Sequence, residues 1–183
     1  MRPHNAGSFL LLLGVVATVA FAQDVRIERS HGFAEIETAQ QWLQAIAGRP
    51  VPEGARIATW FGARVTIAFG DVAVGDTRAD LDQLGLITID RDGDAYRIIH
   101  RSGVLRVVAN GTPLIVDVAG AVIHVERAIL EYDGGRLRLL DGRIDVDYGS
   151  FVRSYSRPVD VLVRGRPKSS VLYGLPAIAP NLD

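Results

Sequence analysis

The sequence predicts an all-β protein, and two observations support that prediction. From about Arg56 to Tyr148, short runs of β-branched and leucine residues alternate with turn residues, which is the strand pattern of an all-β domain. Asp-Gly and Asn-Gly pairs recur between the runs, and such pairs supply the positive backbone φ angles that tight hairpin turns require. We therefore expect a single domain of antiparallel hairpins, built as a short β-solenoid or as a sandwich.

Nine segments of this region are candidate strands, because each is rich in β-branched or leucine side chains and is bounded by turn residues. They are Arg64 to Phe69, Leu86 to Asp90, Ala95 to His100, Val104 to Ala109, Leu114 to Val118, Ala121 to Val125, Ala128 to Tyr132, Arg136 to Leu140 and Arg143 to Tyr148. The turns expected between them are Gly70-Asp71, Asp92-Gly93-Asp94, Ser102-Gly103, Asn110-Gly111, Gly120, Asp133-Gly134-Gly135 and Asp141-Gly142. A short sequence echo between 103–111 and 135–142 is consistent with stacked similar units.

The first 22 residues have the pattern of a cleavable signal peptide. Arg2 precedes an apolar stretch from Phe9 to Phe21, and small residues at Ala20 and Ala22 resemble a cleavage site. The apolar stretch is shorter than the roughly 20 residues that a membrane-spanning helix needs. We expect export to the periplasm, one β domain over residues 23–149 and a basic, proline-rich extension over 150–183 with one edge strand at Val159 to Val163.

Composition argues against several classes of function. The chain contains no cysteine, so disulfides, thiolate metal sites and cysteine nucleophiles are excluded. The net charge is −1, and it becomes −2 when Arg2 is removed, so no overall positive charge favours nucleic acid. No phosphate-binding loop or dinucleotide fingerprint is present, and we expect no cofactor. The histidines of the mature chain lack metal-binding spacing, which argues against zinc; they are His31, His100 and His124.

The segment Asp90-Arg91-Asp92-Gly93-Asp94 resembles the start of a calcium loop, because alternating carboxylates can converge on a hard cation. The later positions of such a loop fail, since Ala95 stands where glycine is needed and Arg101 stands where a bidentate glutamate is needed. A solvated hairpin turn is therefore the better interpretation, and we expect no metal.

Two pairs of residues could carry catalysis, and neither is persuasive. Asp145 and Asp147 share one strand face, where an exposed stripe is a commoner arrangement than an acid/base pair. His100 and Ser102 could pair a base with a nucleophile, but no glycine-flanked nucleophile elbow surrounds the serine. We therefore expect a protein that is not an enzyme.

The candidate binding residues are two neighbouring aromatics and a set of basic residues near the C-terminus. Trp60 and Phe61 precede the turn residue Gly62, and adjacent exposed aromatics can stack on sugars or anchor a protein partner. The alternative is that one of them caps the core. The basic set could contact an anionic polymer or lipid, although solvated charge is the commoner outcome; it consists of Arg153, Arg157, Arg164, Arg166 and Lys168.

The stretch from Glu35 to Ala47 is ambiguous. Ile36, Ala39, Leu43 and Ile46 recur at helical spacing, which alone predicts a helix. The alternative is a pair of strands around a turn.

Four motifs and two single residues follow one another between Gly32 and Val146: Gly32-Phe33-Ala34-Glu35-Ile36-Glu37, Trp42 and Gly48, Val51-Pro52-Glu53-Gly54-Ala55-Arg56-Ile57-Ala58-Thr59, Ser102-Gly103-Val104-Leu105-Arg106-Val107, and Leu139-Leu140-Asp141-Gly142-Arg143-Ile144-Asp145-Val146. Their order and spacing resemble the FecR-like domain, a family of periplasmic regulators of iron-transport signalling. This resemblance implies two strands around a turn at Glu35 to Ala47, in place of the helix. Two segments depart from the family pattern: Glu126-Arg127-Ala128-Ile129 and Trp60-Phe61-Gly62-Ala63.

These observations together favour an exported, non-enzymatic binding or regulatory module that recognises an envelope protein or an anionic envelope polymer. Because few residues precede the apolar stretch, we expect the exported domain without the apparatus of a transmembrane sigma-factor regulator. Two alternatives stay open: a periplasmic hydrolase that uses Asp145 and Asp147, and a structural scaffold that assembles through strand edges.

Overall fold

The structure is a computed structural model that describes residues 25–39, 41–70 and 76–163, so the expected signal peptide lies outside the described residues. The described residues form thirteen strands and no helix, which confirms the all-β prediction. The strands are β1 (Val25–His31), β2 (Ala34–Glu37), β3 (Trp42–Gln44), β4 (Arg56–Thr59), β5 (Arg64–Phe69), β6 (Thr77–Leu81), β7 (Leu86–Asp92), β8 (Ala95–Ser102), β9 (Val104–Val118), β10 (Ala121–Asp133), β11 (Arg136–Asp147), β12 (Val152–Tyr155) and β13 (Val159–Leu162). Within these ranges, nothing helical offers a stretch that could cross a bilayer.

All thirteen strands belong to one sheet. Its main path runs β1-β5-β6-β9-β8-β7-β4-β2-β3, and β10, β11, β12 and β13 extend the sheet from β9. Only β8 and β9 pair in parallel, with Tyr96 opposite Leu114, and every other described pair is antiparallel. Antiparallel hairpins therefore dominate, as the turn residues predict.

The three longest strands hold the two halves of the sheet together. The first part of β9 pairs with β6, where Leu81 lies opposite Leu105, and its last part pairs with β8. Strand β10 pairs with both parts of β9, and β11 pairs with β10 over nearly its whole length. The sheet therefore curls over, and buried side chains from both halves form one hydrophobic core.

The long strands change direction at bulges. On β10, Val125 pairs with Leu114 and Arg127 pairs with Asn110, so residues 111–113 of β9 lie opposite Glu126 alone. Such insertions bend a strand without ending its pairing. The predicted hairpin turns at Asn110-Gly111 and Asp141-Gly142 are therefore wrong, because both pairs lie inside continuous strands.

The same finding merges six predicted strands into three. Val104 to Ala109 and Leu114 to Val118 are both parts of β9, and the next two predicted pairs of strands form β10 and β11 in the same way. It also explains why the sequences of 103–111 and 135–142 are similar. Each segment begins at a glycine that precedes a long strand, β9 or β11, and runs along that strand as far as the bend.

Gly142 is required at this bend for a steric reason. Its φ is +86°, and a Cβ atom on it would lie 2.2 Å from the carbonyl oxygen of Arg127 and 2.7 Å from the Cα of Ala128. No side chain fits at those distances, so the close approach of β10 and β11 depends on glycine.

Alternation along the strands places one face in the core and one in water. Leu137 and Leu139 are buried, while Arg136 and Arg138 point outward, as the sequence predicts. Burial of each such leucine stabilises the fold by about 1.5–3 kcal/mol. Charges of opposite sign face one another on neighbouring strands of the outer surface, in the order Asp80, Arg106, Glu131, Arg138 and Asp160. Opposed pairs of this kind favour the observed register.

The ambiguous segment Glu35 to Ala47 contains two strands and no helix. Ile36 on β2 lies directly opposite Leu43 on β3, and Ile36 is fully buried. The helical prediction is wrong because the same apolar residues also satisfy strand pairing between β2 and β3. The amide of Thr38 donates to the carbonyl of Gln41 beyond the paired residues.

The C-terminal extension contributes two strands where the sequence predicts one. Strand β13 matches the prediction at Val159 to Val163, and β12 precedes it. Both pair with β11, so the chain as far as Val163 continues the same sheet.

The bend yields a prediction about stability. Gly142→Ala should lower the free energy of unfolding by about 3 kcal/mol or more, because the new methyl group meets backbone atoms that cannot move away. Gly111→Ala is the matched control, since its φ is +94° but no atom lies within 4 Å of the added Cβ. It should cost only about 1–2 kcal/mol. Urea unfolding measures both values, and equal losses would contradict the steric role of Gly142.

Candidate functional site

Four loops that connect the two halves of the sheet stack side by side at one end of the molecule. We call them the loop row, and they are residues 32–33, 60–63 and 82–85, and Gly103 with the adjoining last residue of β8, Ser102. Each leaves a strand in one half of the sheet and enters a strand in the other half. Their positions therefore follow directly from the way the sheet curls.

Backbone contacts join the first two loops. The amide of Trp60 donates to the carbonyl of Phe33 at 3.1 Å. Gly32 has a φ of +71°, and a Cβ on it would lie 2.9 Å from the Cα of Ala63. The two loops are packed too closely to move apart without losing these contacts.

Polar contacts extend the row to the other two loops. The amide of Gly62 donates to Oε1 of Gln83 at 2.9 Å, and the buried hydroxyl of Thr59 accepts from the amide of Gly85 at 2.8 Å. The hydroxyl of Ser102 then donates to the carbonyl of Leu84 at 3.0 Å. The four loops form one continuous, hydrogen-bonded surface.

Large apolar side chains stand exposed along this surface. Phe61 is 83% exposed, and Phe33, Trp60 and Leu84 are 52%, 53% and 59% exposed. Leu84 also has a φ of +56°, the only positive φ of a non-glycine residue in the described chain. A leucine in this conformation is strained, and strain of this kind concentrates at functional positions.

Trp60 is held in a fixed orientation. Its indole Nε1–H donates to Oε2 of Glu35 at 3.1 Å, and its ring lies 6.0 Å from the ring of Phe33 at an angle of 44°. An anchored indole loses little conformational freedom when a ligand covers it.

The loop row contains the predicted pair Trp60 and Phe61 and shows that neither side chain caps the core. Sequence reasoning missed Phe33 and Leu84, which lie far from that pair in the chain. The available signals were local: Phe33 follows the turn residue Gly32, and Leu84 precedes Gly85.

The two described members of the basic set predicted to bind anions, Arg153 and Arg157, are separate from the loop row. Arg153 lies on β12 with its guanidinium 5.2 Å from the ring centre of Tyr155, and Arg157 is exposed between β12 and β13. The other three members of that set, Arg164, Arg166 and Lys168, lie outside the described residues.

The two members of the predicted acid pair, Asp145 and Asp147, have different neighbours. Asp147 accepts a hydrogen bond from the amide of Gly149 at 2.6 Å and so stabilises the turn after β11. Asp145 lies opposite His124 on β10 and Ser154 on β12. The carboxylate stands between the histidine and the serine in this row, whereas a hydrolytic triad requires the imidazole in the middle.

No hydrogen bond joins His100 and Ser102 in the described structure, because each side chain bonds to a different backbone carbonyl. The Nε2 of His100 lies 2.8 Å from the carbonyl of Gly103, so this nitrogen is the donor, while Ser102 donates to Leu84. The imidazole is buried, with its edge against Tyr132 at 5.0 Å between ring centres. Burial lowers the pKa of His100, which the carbonyl of Gly103 and the charge of Asp133 partly offset.

The aspartate-rich segment is a hairpin turn, as predicted. Asp92 pairs with Ala95 across Gly93-Asp94, and Asp92 forms an ion pair with Arg97. Within the described ranges, this hairpin included, no three histidine, aspartate or glutamate side chains lie close enough together to hold a metal ion.

Comparison with known proteins gives no assignment. No protein-family model, curated protein or solved structure matches the chain.

His100 yields a prediction about pH. Because its pKa is lower in the folded state than the value of about 6.5 expected when unfolded, the unfolded state binds the proton more readily, and stability should fall as pH drops below about 6.5. Between pH 7.5 and 5.5, the free energy of unfolding of His100→Gln should fall by less than that of the wild type. Urea unfolding at both pH values tests this, with His124→Gln as an exposed-histidine control. If the free energy of unfolding of His100→Gln varied with pH as steeply as that of the wild type, His100 would not be the cause of the pH dependence.

Proposed function

We propose that this protein is a non-enzymatic binding module of the bacterial envelope that engages a protein partner through the loop row. The observation that carries the proposal is the exposure of four large apolar side chains on loops that are fixed to one another. Folding normally buries such side chains, and a partner that covers them would remove their remaining apolar surface from water, which favours binding. A rigid surface of this kind is the usual centre of a protein interface.

A protein partner fits this surface better than a sugar polymer does. Sugar stacking uses a flat, open aromatic face, whereas the rings of Phe33 and Trp60 are tilted by 44°. Phe61 and Leu84 add apolar volume that is suited to filling pockets. Polar groups surround them, including Glu35 and Gln83, as in the rim of an interface.

The envelope location and the regulatory role rest on the sequence. The first 22 residues support export, and the FecR-like order of motifs from Gly32 to Val146 supports a role in recognition or signalling. We propose a periplasmic FecR-like domain that receives its partner at the loop row.

The two alternatives have weaker support. The hydrolase loses half of its proposed acid pair, because Asp147 is engaged by the amide of Gly149. The scaffold would use free strand edges, but β3, β12 and β13 are only three or four residues long. The start of the longer edge strand, β1, already bonds to residues 48–51. Short edge strands are a common defence against edge-to-edge assembly.

Site-specific photocrosslinking tests the proposal. A photoreactive benzoyl-phenylalanine placed at Phe61 should crosslink one predominant protein in the envelope of the source bacterium. The matched control is the same group at Phe151, which is 56% exposed but packs beside Tyr148 away from the loop row. Crosslinking of the same protein from both positions, or of none from Phe61, would refute the proposed interface.

Affinity for the crosslinked protein provides the quantitative test. The double variant Trp60→Ala with Phe61→Ala should bind it at least about 100-fold more weakly, because two central anchors are removed. Phe151→Ala should bind normally, and both variants should melt close to wild type, because the removed side chains are exposed. Normal binding by the double variant would show that the loop row is not the interface. Binding of purified envelope polysaccharide at Trp60 and Phe61 would show that the partner is a sugar polymer and would refute a protein partner.

A further inference from the structure

A second surface, at the bend of β9, β10 and β11, forms an open cleft of about 620 Å³. We call it the bend cleft. The bulges create it, since they place Glu126 and Arg127 outward in succession, where regular alternation would turn one of them into the core. Five polar side chains line it: His124, Glu126, Arg127, Arg143 and Asp145.

Two arginines on neighbouring strands line the bend cleft. Arg127 lies directly opposite Arg143 in the β10–β11 pairing, and like charges at opposed positions destabilise a sheet. Arg127 forms no ion pair with any described residue, and the nearest carboxylate oxygen to Arg143 is Oδ1 of Asp145 at 3.7 Å. Arginines at opposed positions of two paired strands are suited to hold one oxyanion through charge-assisted hydrogen bonds.

The same cleft also offers carboxylate acceptors. The side chain of Asp145 is 42% exposed, although its Oδ1, the oxygen nearest to Arg143, is enclosed and receives no hydrogen bond. Glu126 and the ring of His124 lie on the same exposed surface. A carboxylate in this position favours a ligand that brings hydroxyl donors. With both arginines balanced by two carboxylates, the lining has no net charge that would attract a bare anion.

We infer that the bend cleft binds an acidic sugar, with the oxyanion between Arg127 and Arg143 and the hydroxyl groups on Asp145 and Glu126. A simple anion would bind the arginines but would bring no hydrogen-bond donors to the carboxylates. A neutral sugar would bring donors to the carboxylates but no negative charge to relieve the repulsion between the two arginines. A uronic acid or a sugar phosphate supplies both groups within one ring. The inference is independent of the loop row, which adjoins the start of β9, whereas the bend cleft lies at the middle of that strand.

Titration with glucuronate, followed by amide NMR shifts, tests the inference. Glucuronate should shift signals around Glu126 and bind at least about 10-fold more tightly than glucose or acetate at equal ionic strength. Arg127→Gln and Asp145→Asn should each weaken glucuronate binding by about 10-fold, because each removes a charge-assisted hydrogen bond. Titration with glucose 6-phosphate shows whether the oxyanion is the carboxylate of a uronic acid or the phosphate of a sugar phosphate. Binding of either acid more tightly than glucose and acetate supports the inference.

Arg101→Gln is the matched control, because Arg101 is exposed and does not line the cleft. It should leave glucuronate binding unchanged, as should the double substitution of Trp60 and Phe61. The melting temperature of Arg127→Gln should not fall, since the substitution relieves repulsion between like charges. Absence of any shift, equal binding of acetate and glucuronate, or an equal effect of Arg101→Gln would overturn the inference.

Discussion

The close approach of β10 to β11 at Gly142 is the constraint on which the rest of the structure depends. Three long strands must pass from one half of the sheet to the other while keeping their hydrogen bonds, and Gly142 permits this by leaving room for the backbone of Arg127 and Ala128. A break in the strands here would divide the core into two. The same approach places Arg127 opposite Arg143 and so creates the bend cleft.

Local signals in the sequence predicted the local structure well. Arg64 to Phe69 matches β5, and the hairpins at Gly93-Asp94 and Gly134-Gly135 lie where the glycines place them. Asn110-Gly111 misled for a physical reason: a positive φ serves a hairpin turn and a bulge equally, and only the partner strand decides between them. That partner, β10, is not identified by anything within Asn110-Gly111 itself.

The candidate sites could be predicted only in part, for the same reason. The exposure of Trp60 and Phe61 follows from a turn that can be recognised locally, so the sequence identified them. Phe33 and Leu84 join them through the stacking of loops distant in sequence, which no short motif encodes. The bend cleft was missed altogether, because bulges in three strands bring its residues together.

The stacking of the loops also has a mechanical consequence. A pull applied to Phe61 is transmitted through the amide of Trp60 to the first loop, and through Gly62 and Gln83 to the third. Those loops continue into antiparallel strands, so the load is shared among many backbone hydrogen bonds that must break together rather than one after another. A tether attached at this end of the molecule would therefore resist force more strongly than one attached at the four-residue edge strand β13.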